Sequence, residues 1–112
     1  MKKIEAIIRE EKLQEVKEAL EKLNIFGMTV IDVKGRGSQR GISLQWRVGE
    51  YRVDFLPKKL LLLVVKDEEC SKVVDAICEI SSSGAAGDGK IFISTIDEVV
   101  RVRTKENGEK AL

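Results

Sequence analysis

Six consecutive apolar residues, Leu60-Leu61-Leu62-Leu63-Val64-Val65, constrain this chain more than any other feature. Such a short run reads as a strand. Alternate residues of a strand face opposite sides, so this one is apolar on both faces and wants cover on both. It falls far short of a membrane span. The whole chain is 112 residues, enough for one domain and not for two. So short a chain has no second layer to spare, and the simplest remedy is association of copies through the open sheet face.

The segments around that run set the architecture. Residues 3 to 8 form a first strand with Ile4, Ala6 and Ile8 on one face and Glu5 and Ile7 on the other. A helix spans about Glu11 to Leu23, with Leu13, Val16, Leu20 and Leu23 three or four apart, Ala19 widening the stripe and Asn24 as the stop. Met28 to Val33 is rich in β-branched residues and reads as the second strand. After the third strand, Asp67 opens a second helix whose buried stripe is expected to be Cys70, Val73, Val74, Ile77 and Cys78, ending at Ser81-Ser82-Ser83-Gly84. Ile91 to Ile96 is the fourth strand, and Val99 to Val102 is expected as a short fifth. The order β-α-β-β-α-β predicts an α+β, ferredoxin-like sandwich with helices on one face of an antiparallel sheet.

Composition excludes several kinds of chemistry. There is no histidine, which removes His-dependent triads, histidine-ligated zinc and the usual general base near neutral pH. The two cysteines cannot frame a disulfide scaffold or a four-cysteine metal site. Lying eight apart on one helix, they are roughly 12 Å apart along its axis, too far for a bridge. Lys plus Arg is 20 and Asp plus Glu is 19, a balance that argues against wholesale electrostatic binding to nucleic acid or membrane. Met1-Lys2-Lys3-Ile4-Glu5 meets charge too early for a signal peptide, and the expected location is cytoplasmic.

The charge balance breaks down locally. Residues 34 to 59, joining the second and third strands, are too long for an ordinary hairpin loop. They hold seven basic residues (Lys34, Arg36, Arg40, Arg47, Arg52, Lys58, Lys59) against Glu50 and Asp54, a net +5 that leaves −4 for the rest. Gly35, Gly37, Gly41 and Gly49 lie among them, with Trp46, Tyr51 and Phe55. Basic side chains beside open backbone N–H groups suit a phosphate or a carboxylate. From this stretch alone an anion site and a solvated loop both stay open, as does an extension of the flanking strands. A second cluster, Gly84-Ala85-Ala86-Gly87-Asp88-Gly89-Lys90, is neither a Walker loop nor a dinucleotide fingerprint, because Lys90 enters a strand rather than a helix. A third element, Arg101-Val102-Arg103, places both guanidinium groups on one side if the chain is extended. Together the three supply the parts for holding a polyphosphate.

These residues also carry a resemblance. The chain resembles the PII nitrogen-regulatory signal-transduction family from Met1-Lys2-Lys3-Ile4-Glu5-Ala6-Ile7-Ile8-Arg9 to Lys110-Ala111-Leu112. Gly27-Met28-Thr29-Val30 and Val33-Lys34-Gly35-Arg36-Gly37 match the family's second strand and loop entry. Tyr51-Arg52-Val53-Asp54-Phe55-Leu56-Pro57-Lys58 matches the loop exit. Ser83-Gly84-Ala85-Ala86-Gly87-Asp88-Gly89-Lys90-Ile91-Phe92-Ile93 and Arg101-Val102-Arg103-Thr104 complete the set.

The resemblance implies a single PII-like domain over 1–112, with a flexible T-loop at about 36–55, a nucleotide-binding B-loop at about 82–90 and a C-terminal segment at about 101–112. It implies a homotrimer with clefts between subunits that bind ATP or ADP competitively. Gly87, Asp88, Gly89 and Lys90 would cradle phosphates, and Arg101 and Arg103 would reach them across the subunit boundary. Ile7, Thr29 and Val64 would surround the adenine, with Gly35, Gly37 and the Ser38 backbone closing the site. Gln39 would ligate Mg²⁺ beside the ATP phosphates. Lys58 would pair with a carboxylate of 2-oxoglutarate, which chelates that metal, assisted by Gly41, Gly87 and Arg9. The implied role is non-enzymatic: sensing ATP/ADP and 2-oxoglutarate, and docking the T-loop on nitrogen-metabolism targets. These include the ammonium channel, whose pore receives an arginine, here Arg47. Membrane recruitment would then run through that channel, with no insertion of the chain itself.

The sequence also departs from the family. Ser38 and Leu62 stand where many members have arginine and glutamate, and Ala85 and Ala86 replace bulkier residues. The loop tip, Trp46-Arg47-Val48-Gly49-Glu50-Tyr51, lacks the usual uridylylation signature although Tyr51 is present, and Gly49 excludes the serine phosphorylation of some members. Ile42 and Leu44 make the loop more apolar than usual. An alternative is therefore a diverged PII-like sensor of another adenine nucleotide or small anion with a different partner. An RNA-binding module lacks the stacking aromatics it needs. A hydrolase of the acylphosphatase type lacks a catalytic dyad, and Asn24 and Asn107 are both remote from the basic loop.

Overall fold

The computed structural model describes residues 1–37, 42–46 and 49–112, with side chains described at 1–37 and 54–112. The elements run β1 (Lys2–Ile8), α1 (Leu13–Lys22), β2 (Thr29–Gly35), β3 (Ile42–Trp46), β4 (Gly49–Val53), β5 (Leu56–Val65), α2 (Asp67–Ser81) and β6 (Gly89–Thr95). Short 3₁₀ turns lie at Glu10–Lys12 and Gly108–Ala111. The main sheet has the order β2-β5-β1-β6, every neighbour antiparallel. With β3 and β4 set aside as an insertion, this is the expected ferredoxin-like order.

The core lies between one sheet face and the two helices. Ile4, Ala6 and Ile8 of β1 and Leu61, Leu63 and Val65 of β5 are buried against Val16 and Leu20 of α1 and Val73 and Ile77 of α2. Asn24 ends the first helical region as expected, adopting a left-handed φ of 62°. The stripe on α2 differs from expectation at one end. Ser81, not Cys78, continues the buried row from Val73 and Ile77, because spacing of four keeps a residue on the inner face while Cys78 turns outward.

The helix-free face follows from the register. Ile31, Leu60, Ile7 and Lys90 form one row across the four strands, and Thr29, Leu62, Glu5 and Phe92 form the next. Leu60, Leu62 and Val64 are only half-buried, and Phe92 and Ile31 are exposed. The doubly apolar strand is thus covered by this chain on one side.

The long connection is partly strand. β2 and β5 keep pairing to Gly35↔Leu56, which adopts the strand-extension option. Pro57 lies beyond Ile8↔Lys59, the last pair with β1, where β5 has a partner on one side only. Within the connection β3 and β4 pair antiparallel from Ile42↔Val53 to Trp46↔Gly49.

The expected fifth strand at Val99–Val102 is not formed. Val100 makes a single antiparallel bridge to Asn107. The chain turns at 102–104, with the Lys105 N–H donating to the Arg101 carbonyl at 2.8 Å and Lys105 at φ 63°. Alternation along an extended chain therefore does not relate Arg101 to Arg103.

Candidate functional site

A cleft of about 400 Å³ opens where the ends of β2, β5, β1 and β6 meet the glycine-rich segment before β6. Its lining brings together seven residues singled out from the sequence: Ile7, Gly35, Gly37, Lys58, Gly87, Gly89 and Lys90. Arg36, Leu56, Ala86 and Phe92 complete it. Among the described residues the lining has three cations and no carboxylate. Lys90 and Ile7 are opposite each other in the ladder, so one row of the helix-free face carries both an apolar floor and a cation. This donor set fits an anion attached to an apolar body.

The glycine-rich segment is held from both sides. Lys58 Nζ, from β5, donates to the Gly87 carbonyl at 2.7 Å. Arg9, just past β1, donates from Nη2 to the Ala86 carbonyl at 2.8 Å and from Nε to Asp88 Oδ1 at 3.4 Å. The Asp88 carboxylate also accepts hydrogen bonds from the Ser83 hydroxyl, the Ser83 N–H at 2.7 Å and the Gly84 N–H at 3.2 Å. These bonds favour the ionised form. The Ser83 hydroxyl is the largest influence, followed by the Ser83 N–H; Arg9 and the Gly84 N–H add smaller contributions, and the four together outweigh desolvation. They hold the carboxyl down to about 2. Asp88 thus organises the loop with its side chain, which leaves backbone groups and Lys90 as this segment's means of meeting an anion.

Two glycines here are required by geometry. Gly87 has φ 92° and Gly89 φ 117°. At Gly89 a Cβ would lie 1.9 Å from the Ile7 carbonyl oxygen, because the strand begins its pairing with β1 at this residue.

The other expected residues are more scattered. Thr29 and Val64 share the helix-free face with Ile7 but lie outside the cleft lining. Arg101 is engaged within its own terminal segment, donating to Glu106 Oε1 at 3.1 Å and to the Lys110 carbonyl at 3.1 Å. Arg103 is exposed on the turn. Ser38, Gln39, Gly41 and Arg47 lie outside the described residues, and Tyr51 is described only as a backbone position in β4, opposite Leu44. Among the described residues no group of three or more acidic or cysteine side chains converges as a metal site. Sequence reasoning missed Phe92, which the period of two places beside Lys90 on one face, and Ser83, whose spacing of five from Asp88 carries no obvious pattern. It also counted Arg36 as bulk charge only.

Comparison with known proteins identifies the class. The family model for "Nitrogen regulatory protein P-II" matches residues 1–106. "Nitrogen regulatory protein P-II 2" of Methanothermobacter thermautotrophicus is 54% identical over 112 residues, covering all of this chain and 97% of the relative. "Nitrogen regulatory protein P-II" of Rhizobium meliloti is 49% identical with both chains covered in full, and that of Azospirillum brasilense is 48% identical on the same terms. These relatives are regulatory proteins, not enzymes. The chain belongs to the nitrogen regulatory protein P-II family. Among the described residues no helix is long and apolar enough to cross a membrane.

Proposed function

We propose that this protein senses adenine nucleotides and 2-oxoglutarate and passes the result to nitrogen-metabolism targets through the connection between β2 and β5. The observation that carries the reading is the convergence of Gly35, Gly37, Lys58, Gly87, Gly89, Lys90 and Ile7 on one cleft, with no carboxylate among the described residues of its lining. Lys90 and the backbone of the glycine-rich segment bind the phosphates of ATP or ADP, and Ile7 contributes apolar surface for the base. Thr29 and Val64 border the same site from the shared sheet face. The protein works as a homotrimer, in which a neighbouring copy supplies Arg101 and Arg103 at the seam.

In this reading Mg²⁺ arrives with ATP, held by phosphate oxygens and Gln39, and 2-oxoglutarate chelates it while pairing with Lys58. Gly41, Gly87 and Arg9 assist. Lys58 fits the task because its amine already reaches the mouth of the glycine-rich segment. A dianion needs both a metal and a cation, and ATP brings the metal, so each ligand favours the other. Ligand state then changes the connection, with Arg47 and Tyr51 as its contact or modification points, and a membrane channel for ammonium is one target of fitting chemistry. Calorimetry tests the scheme: 2-oxoglutarate is expected to bind in the presence of Mg-ATP and not without it. Equal affinity with and without nucleotide contradicts it.

A further inference from the structure

We infer that Phe55 is a positioning residue for the cleft, holding the Arg36 guanidinium ready to take a phosphate oxygen. This deepens the nucleotide reading above and rests on it. Arg36 follows the last residue of β2 and Phe55 precedes the first residue of β5, so the two flank the last ladder pair, Gly35↔Leu56, just outside the sheet. The Arg36 guanidinium carbon lies over the Phe55 ring, 5.8 Å from its centroid. That distance is within cation–π range, and Phe55 is 57% exposed and is not among the buried core residues described. Arg36 lines the cleft together with its neighbours Gly35 and Gly37.

The two observations are compatible because a guanidinium offers different surfaces to different partners. Its face stacks on a ring, while its N–H donors project from the edge in a fork that matches phosphate. An arginine on an exposed strand end would otherwise sample many rotamers, and fixing it costs side-chain entropy at the moment of binding. Phe55 meets part of that cost in advance. The ring also sits where the connection leaves the sheet. A phosphate that engages Arg36 therefore favours the stacked Arg36–Phe55 pair at the foot of the connection, and by linkage the stacked pair favours the phosphate.

A double-mutant cycle on Mg-ATP affinity, read by calorimetry on the full chain, tests this. Phe55→Leu keeps apolar bulk and removes the ring's charge distribution. It is expected to weaken Mg-ATP binding about two- to fivefold. Phe55→Tyr is expected to bind as wild type does. In an Arg36→Met background, Phe55→Leu is expected to cause no further loss. Equal loss in both backgrounds, or wild-type affinity for Phe55→Leu alone, overturns the inference while leaving the nucleotide reading standing. Absence of Mg-ATP binding by the wild-type protein overturns both.

Discussion

At Gly89 the fold and the cleft make incompatible demands on any side chain. The residue must start the ladder with β1 and present backbone toward the cleft, at φ 117° and with the Ile7 carbonyl 1.9 Å from where a Cβ would be. Gly89→Ala is therefore expected to lose at least about 2 kcal/mol of stability in urea unfolding. Gly84→Ala is the comparison: its φ is +79° but open space surrounds its Cβ position, so about 1 kcal/mol is expected. Equal losses for the two would show that close approach is not what selects glycine at 89.

Asp88 acts at the same scale through charge. Its folded-state carboxyl is depressed from 3.8 to about 2. A depressed acid stabilises the fold above its unfolded pKa, and that contribution disappears as pH falls through the folded value. Wild-type stability is expected to drop between about pH 4 and pH 2 more steeply than that of Asp88→Asn, with the two curves converging at the acid end. Parallel curves over that window would remove Asp88 as the loop's organiser.

Elements show how far the sequence was legible and where it was not. Periods of two and near four located β1, α1 and α2 because each buries one face against a single core, whereas β2 was read from its β-branched residues and β5 from its unbroken apolar run. Ile4, Ala6 and Ile8, and Val16 and Leu20, are the plain cases. Periodicity failed where burial does not decide the conformation. The Val99–Val102 stretch has strand-like residues, but a single bridge to Asn107 and local turn bonds take it instead. The β3–β4 ladder was missed although Ile42, Leu44 and Trp46 alternate with Ser43 and Gln45, because the glycines and basic residues around it make the whole stretch read as a loop. In the cleft, sequence supplied the glycines and lysines, while Arg36 and Phe92 needed the register that sets them beside those residues. Lys58 illustrates how elements meet there, tying β5 to the glycine-rich segment before β6 across 29 positions of sequence. Lys58→Met is expected to cost about 1 kcal/mol in urea unfolding as the Gly87 carbonyl loses its donor. An unchanged midpoint would mean that this bond adds nothing to the fold.

For the molecule as a whole the decisive imbalance is between the two faces of one sheet. Leu61 and Leu63 are buried under helices, whereas Leu60, Leu62 and Val64 face away from them beside exposed Ile31 and Phe92. A half-covered apolar face on the central strands suits association with another copy, and the proposed trimer would use it. Leu60 is the best probe, because Ile31 and Ile7 flank it directly and its side chain takes no part in the helix-facing core. Leu60→Glu places a charge in the middle of that row. Such a charge is tolerated when the face meets water and costly when it meets an apolar neighbour. Sizing with light scattering is expected to give a trimer mass for wild type and a smaller species for Leu60→Glu, whose far-ultraviolet dichroism stays native. The same variant is expected to bind Mg-ATP more weakly, since in the proposed trimer a neighbour supplies Arg101 and Arg103 and a separated chain would lack them. A Leu60→Glu protein that keeps both the wild-type mass and the wild-type affinity would mean that copies meet elsewhere, and that the apolar second face of β5 serves a purpose other than assembly.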